Sequence, residues 1–499
     1  MTQRKTPLMG WASWNAFRTH ISEAIIREQA DALVATGLAD CGYTYLNIDD
    51  GYFGGRGPDG KLLFHATRFP NGIRCIAEYA HSLGLQAGIY SDAGDNTCGH
   101  YYDGEGADGF GVGLYGHEES DLRQLLIECD FDFIKVDWCG GLRLNLDEEA
   151  QYGKIGRIIQ KIREETQKPI VYNVCRWEFP GEWVATVADS WRTGLDIAPN
   201  FPSVLYQIDN MKALAKFCTP GHVNDSDMMQ LGTGMNSTEE RTHFAMWCML
   251  STPLMIGGDL KKIAPETLAI LKNRELIALN QDELCRQAVV VHEYKAADAS
   301  GNSVLQAEAW VKELSQRTQD GKPLHARAVA FLNRSDTSRT LELSLSEAGA
   351  KGKICAIRDI CSQKDLPPEQ TLRAEVPAHG CAVYLITSTA SGTIRDVNRH
   401  LRAGVHQYKK ISTFRMKQLV KNGAILVDVR SPEEFRSASL PGSINIPYQD
   451  IYLNAPQVLP DKAKPIIVYC ATGKRSWQAK NRLDSMGYTS VHFLGGVSI

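Results

Sequence analysis

Residues 131–141 read FDFIKVDWCGG. An apolar run this short, bounded by polar residues and then by two glycines, has the length and character of a strand buried on both faces. Lys135 and Asp137 interrupt it two residues apart, so both project from the same side of the strand. A charged pair in a buried strand is costly unless partners meet it. The stretch therefore predicts a parallel strand whose C-terminal end opens onto a polar pocket.

Seven other stretches repeat the pattern. TPLMGW (6–11), YTYLNIDD (43–50), LQAGIYSD (85–92), PIVYNVC (169–175), DSWRTGLDI (189–197), GHVNDSDMM (221–229) and TPLMIGGDL (252–260) are strand candidates. Amphipathic segments separate several of them, among them SEAIIREQADALVATGL and EEAQYGKIGRIIQKIREETQK. In the latter, Ile155, Ile158, Ile159 and Ile162 recur at helical spacing, which predicts a face packed on a sheet. Eight strands alternating with helices predict a closed (β/α)8 TIM barrel over residues 1–285. Asp49 and Asp50, Asp92, Asp137, Asp196, and Asp225 with Asp227 fall at or just after strand ends. In such a barrel those ends converge on one face, where the active site forms. A single aspartate there would read as a helix cap or turn residue; the repetition, with Trp11, Trp138, Trp177 and Trp191 interspersed, reads as a pocket.

From 286 to 390, alternating β-rich segments (AVVVHEY, SVLQAEAW, ARAVAFLNRS, TLELSLSE, KICAIRDI, LRAEVPAHGCAVYLI) predict an antiparallel β-sandwich without chemistry of its own. The small polar stretch at 387–392 reads as a hinge, opening a linker over 391–408. From 409 to 499, strands and helices alternate again in a small α/β domain.

Composition excludes several classes. With 499 residues the chain holds more than one folding unit, and 43% hydrophobic against 22% charged residues is ordinary for a soluble protein. Fifty-four basic against 58 acidic side chains, without a basic block, leave no electrostatic case for a nucleic-acid partner. No apolar run reaches the ~18 residues of a membrane span. The N-terminus, MTQRKTPLMGW, lacks a signal-peptide pattern. The expected compartment is extracellular or periplasmic if a leader has been removed, and cytoplasmic otherwise. The sequence leaves the oligomeric state open, a homo-oligomer being one outcome. Thirteen scattered cysteines without a CxxC pair are no zinc framework. His65 and His222 are isolated and no calcium loop is visible, so neither metal nor cofactor is expected.

Carboxylates mixed with indole rings suit a carbohydrate, since carboxylates and cations bind hydroxyls while rings cover the apolar face of a pyranose. Glycosidic hydrolysis needs two carboxyl groups flanking the bond. Asp137 and Asp196 are the candidates, with Lys135 placed to keep Asp137 ionised.

The ordered motifs PLMGWASWN, YLNIDDGYF, GIYSDAG, FIKVDWC, YNVCRW, WRTGLDI, HVNDSDMM and RTHFAMWCMLSTPLMIGGDL resemble glycoside hydrolase family 27, the α-galactosidase and α-N-acetylgalactosaminidase family. The resemblance spans residues 6 to about 390. It implies that Asp137 is the nucleophile and Asp196 the acid/base of a retaining enzyme that releases terminal α-D-galactose. It further implies that Asp49 and Asp50 hold the 4- and 6-hydroxyls and that Trp11 closes the pocket. Lys135, Arg192 and Asp227 would complete its polar contacts, with Cys175, Arg176 and Trp177 on another wall. Cys98 and Cys139 match a family disulfide, whereas Gly51 stands where many relatives carry a second cysteine. The large Arg176 and Phe179 favour a free 2-hydroxyl over an N-acetyl group. The glycine-rich loop from Tyr101 to Tyr115 is longer than expected and reshapes the rim. The alternatives are β-L-arabinopyranosidase or α-N-acetylgalactosaminidase activity on the same fold, or a non-catalytic carbohydrate-binding protein.

In the last domain, VDVRSPEEF, LPGSINIP and CATGKRS resemble a rhodanese domain, a sulfurtransferase module, with Leu440 where a histidine is usual. The polar run Thr472–Gly473–Lys474–Arg475 after Cys470 predicts a reactive, accessible thiol in an anion-binding loop with Lys474 and Arg475.

Overall fold

The computed structural model describes residues 5–106, 108–297, 303–319, 322–401, 411–471 and 473–496. They form two compact units, one of the barrel with its sandwich, the other of the C-terminal residues together with Leu195–Ala198.

Eight parallel strands make the barrel: β1 (Met9–Ala12), β2 (Tyr45–Asn47), β3 (Gln86–Asp92), β4 (Phe133–Asp137), β5 (Val171–Val174), β6 (Ser190–Arg192), β7 (Val223–Asp225) and β8 (Leu254–Ile256). Strands β1 to β7 pair in chain order, and β8 pairs with β1. Beyond β7, a parallel bridge between Met229 and Ile256 joins the remaining edges. The predicted barrel is thus present, and closure satisfies edge groups that an open sheet would expose.

Strand alternation decides what faces the lumen. Leu8, Ala12, Tyr45, Phe133, Val171 and Met255 form one buried cluster that fills its lower part. Gly88 keeps that space open, because a Cβ there would lie 2.0 Å from Asn47 Oδ1. Outside the sheet, helix α1 (Glu23–Ala35) starts at Ser22, whose hydroxyl accepts from Ile25 N, and buries Ile26, Ala30 and Leu33. Helix α2 (Glu148–Thr166) is capped by Asp147 and buries Ile155, Ile159 and Ile162, while Ile158 sits half-buried at the edge of that face. Beyond β8 the chain forms two short helices, Pro265–Leu271 and Arg274–Asn280, the second capped by Asn273.

The sandwich is antiparallel, as predicted: one sheet is built on Val289–Ala297, Ser303–Glu313, Lys322–Asn333, Cys381–Ser391 and Ala350–Asp359, and a two-stranded sheet pairs Arg339–Ser344 with Thr371–Val376. The expected hinge at 387–392 is mostly strand. Ser388 pairs with both His325 and Ile354, so backbone ladders hold the polar run through Ser391. The linker residues 402–408 lie outside the described residues. Charge locks the sandwich to the barrel: Arg334 meets Asp209 at 2.6 Å and the fully buried Glu308 at 3.0 Å.

The C-terminal unit holds four parallel strands in the order Ile444–Asn445, Ile425–Asp428, Ile466–Cys470, Val491–Gly496, with helices Thr413–Lys421 and Lys474–Ser485. Among the described residues no helix is long and apolar enough to cross a membrane.

Candidate active site

β4 delivers Lys135 and Asp137 to the lumen as the two-residue spacing requires. The Lys135 ammonium lies 2.8 Å from Asp49 Oδ2 and 3.6 Å from Asp137 Oδ2. Burial alone would lower the lysine's pKa, but the charges of Asp137 and then Asp49 hold it well above its ordinary value. The cation is therefore permanent and shared between strands β2 and β4.

Asp50 follows β2. Its oxygens accept from Gly51 N at 2.8 Å and Gly99 N at 2.7 Å, yet complete burial pushes its pKa up to about 7. A carboxyl raised this far holds its proton in the folded state after the unfolded chain has lost it. Its contribution to stability is then complete below the ordinary carboxylate range and disappears as pH rises towards 7. About three pKa units correspond to a maximum of about 4 kcal/mol. Thermal unfolding followed from pH 4 to 7 should show a steeper loss for the parent chain than for Asp50→Asn.

Asp92 has a different task from the one its strand-end position suggested. Its carboxylate accepts from Gly94 N (2.7 Å), Cys139 N (2.6 Å) and Gly140 N (3.0 Å). It thereby stitches the loop after β3 to the turn that follows Asp137. The two loops touch so closely that a Cβ on Gly94 would lie 2.0 Å from the Gly140 carbonyl carbon. The disulfide Cys98–Cys139 fastens the same pair of loops, with Cα atoms 5.3 Å apart. Cys98 Sγ lies 3.5 Å from Asp137 Oδ2, so the bridge forms part of the wall beside that carboxylate. Asp92, Cys98 and Cys139 also cluster tightly enough to suggest a metal. The sulfurs are committed to each other and the carboxylate to three N–H groups, so the donor set does not fit an ion.

On the far wall Arg192 meets Asp227 at 2.7 Å, both deeply buried. Asp227 (φ 78°) and Trp177 (φ 61°) occupy the left-handed region, a strain that concentrates at functional sites. Asn173 donates to Ser190 Oγ and to Asp225 Oδ2. Asp49, Lys135, Asn173, Arg192, Asp225 and Asp227 thus line one cavity inside the barrel. Cys175 is buried one residue beyond β5, its sulfur 3.8 Å from Arg192 Nη1. Asp196 stands on the segment that follows β6.

Two predicted contacts are corrected. Trp11 does not line the lumen: it is fully buried, donates from Nε1 to Gly258 O and packs edge-on against Phe17. Trp14, the first residue of the short helix that follows β1, instead joins the lumen cluster beside Met228 and Met255. Strand alternation ends at Ala12, because Ser13 turns helical, so no strand spacing signalled Trp14. Arg176 is held by acids of the chain, Glu148 at 2.7 Å and Glu178 at 3.3 Å. Phe179 likewise packs on Phe217, with ring centroids 4.8 Å apart.

A larger cavity of about 290 Å³ opens at the opposite end of the strands, around Pro7, Val171 and Val223. Its cations are already paired, Arg163 with Asp189 and Lys168 with Asp130 and Asp132.

In the C-terminal unit, Cys470 is fully buried, against the accessible thiol expected. The loop folds over it: Gly473 N and Ser476 N donate to its sulfur at 3.1 and 3.3 Å. Arg475 turns away to Glu434, at 2.5 and 2.8 Å. The Lys474 side chain lies outside the described residues.

Residues 6–282 match the family model described as alpha galactosidase A, and residues 306–386 that of the alpha galactosidase C-terminal beta sandwich domain. Residues 414–498 match the rhodanese-like domain. A probable alpha-galactosidase of Dictyostelium discoideum is 37% identical over 391 residues, covering 77% of this chain and 93% of the relative. The alpha-galactosidase of Oryza sativa subsp. japonica is 34% identical over 388 residues, covering 77% and 85%. Alpha-galactosidase I from Mortierella vinacea superposes with a TM-score of 0.67 at 28% identity, covering 78% of this chain and 98% of that one.

Proposed function

The chain belongs to the alpha-galactosidase A family, and from that premise we propose a retaining exo-α-galactosidase that works by double displacement. The observation that carries the reading is the Lys135 ammonium between Asp49 and Asp137 at the C-terminal mouth of the barrel. Asp137 attacks the anomeric carbon while Asp196 protonates the departing oxygen; Asp196 then takes a proton from the water that releases galactose. Asp49 and Asp50 accept from the 4- and 6-hydroxyls, Trp14 replaces Trp11 as the apolar wall, and Arg192 with Asp227 completes the polar lining. Carbohydrate is the substrate class. The test is hydrolysis of aryl α-D-galactoside, aryl α-N-acetylgalactosaminide and aryl β-L-arabinopyranoside in parallel. Highest kcat/KM on the galactoside is expected; preference for either other sugar would overturn the assignment.

The C-terminal module has a separate chemistry. The loop whose Gly473 and Ser476 N–H groups point at the Cys470 sulfur supports a reaction in which that sulfur attacks the outer sulfur of thiosulfate, expelling sulfite and leaving a persulfide. Sulfur transfer from thiosulfate to cyanide should disappear in Cys470→Ser with galactosidase activity intact. A parent chain inactive in this assay would contradict the reading.

A further inference from the structure

We propose that the loop leaving β3 carries an aglycone subsite, a platform on which the pyranose next to the scissile bond stacks; this rests on the galactosidase reading above. The loop starts inside the pocket wall. Cys98 stands beside Asp137, and Gly99 N donates to Asp50, so the next residues, His100 and Tyr101, lead directly outward from the site.

Aromatic rings continue from there. Tyr101 lies 5.2 Å from His100 between ring centroids, and His100 lies 5.7 Å from Phe110. Arg143, from the short helix that follows Asp137, stands 5.0 Å over Tyr101 and joins the strip to the nucleophile's own loop. At the strip's outer end Phe110 is 65% exposed.

A loop so rich in glycine would be expected to move, yet this one is held from several sides. Arg18, which lies over the Trp14 ring at 4.4 Å, makes a bidentate pair with Asp103, tying the loop to the apolar wall of the pocket. Arg68 pairs with Glu105, and Arg56 donates to the carbonyls of Gly111 and Gly113. Gly111 N donates to Asn96 Oδ1 at 2.7 Å. The fold thus holds an exposed phenyl ring on the loop that leaves the pocket wall. An aromatic face meets the C–H face of a pyranose, which commits the occupant to the leaving-group sugar of an oligosaccharide.

Methyl α-galactoside is too short to reach Phe110, whereas an α-galactosyl trisaccharide passes over it. Phe110→Ala should lower kcat/KM on the trisaccharide by about 3–10-fold, the range of one aromatic contact. Methyl α-galactoside should be unaffected, and Phe110→Trp should retain trisaccharide activity. Equal parent and Phe110→Ala values on the trisaccharide, or equal losses on both substrates, would overturn the subsite alone. A parent chain inactive on methyl α-galactoside would overturn the galactosidase reading, and the subsite with it.

Discussion

Asp137→Asn is expected to lower kcat on an aryl α-galactoside by at least about 10⁴-fold, the scale seen when a covalent nucleophile is removed. The carboxamide is isosteric, but it neither attacks carbon nor pairs with the ammonium 3.6 Å away. Binding should survive better than turnover, because Asp49 keeps Lys135 in place at 2.8 Å. The loss therefore belongs in kcat. Azide supplied to the smaller Asp137→Gly variant should restore turnover of an activated substrate and give the β-galactosyl azide, since the anion enters where the carboxylate stood. Residual activity within tenfold of the parent would contradict the nucleophile assignment.

Asp196→Ala should produce the second largest effect, and its size should depend on the leaving group. Protonation contributes about 10²–10⁴-fold when the departing oxygen is a poor leaving group. A sugar or methyl aglycone should suffer that full loss in kcat/KM. A dinitrophenyl galactoside departs without a proton, so its first step should be nearly unchanged while release of galactose slows. Azide should here yield the α-galactosyl azide, the opposite anomer from the Asp137 variant. A uniform loss across leaving groups would assign Asp196 to structure instead.

The barrel was legible because parallel strands buried on both faces read as apolar runs, and because polar residues survive only where those runs reach the pocket. Lys135 and Asp137 needed nothing beyond strand alternation. Side chains whose partners are distant in sequence were harder to place. Arg176 looked like a pocket residue until Glu148, at the first turn of α2, claimed it. Asp92 shares its strand-end position with the pocket carboxylates, yet the close approach of Gly94 and Gly140 turns it toward backbone N–H groups. Trp11 lies within β1, whereas Trp14 opens the short helix Trp14–Phe17 that follows it. The motif offers a tryptophan at both positions, and the turn from strand to helix at Ser13 distinguishes them. Cys470 was expected to be open because its loop is polar, but those polar residues contribute backbone N–H groups that close over the sulfur. For Arg176 and Asp92 a tertiary contact decided the outcome; for Trp14 and Cys470 it was local backbone geometry.

The proposed double displacement requires a covalent galactosyl intermediate on one carboxylate of β4. Incubation with 5-fluoro-α-D-galactosyl fluoride, followed by digestion and mass spectrometry, tests it most directly. One fluorogalactosyl adduct is expected, located on Asp137 and absent from Asp137→Asn. An adduct on any other carboxylate, or turnover of the reagent with inversion and no adduct, would contradict it.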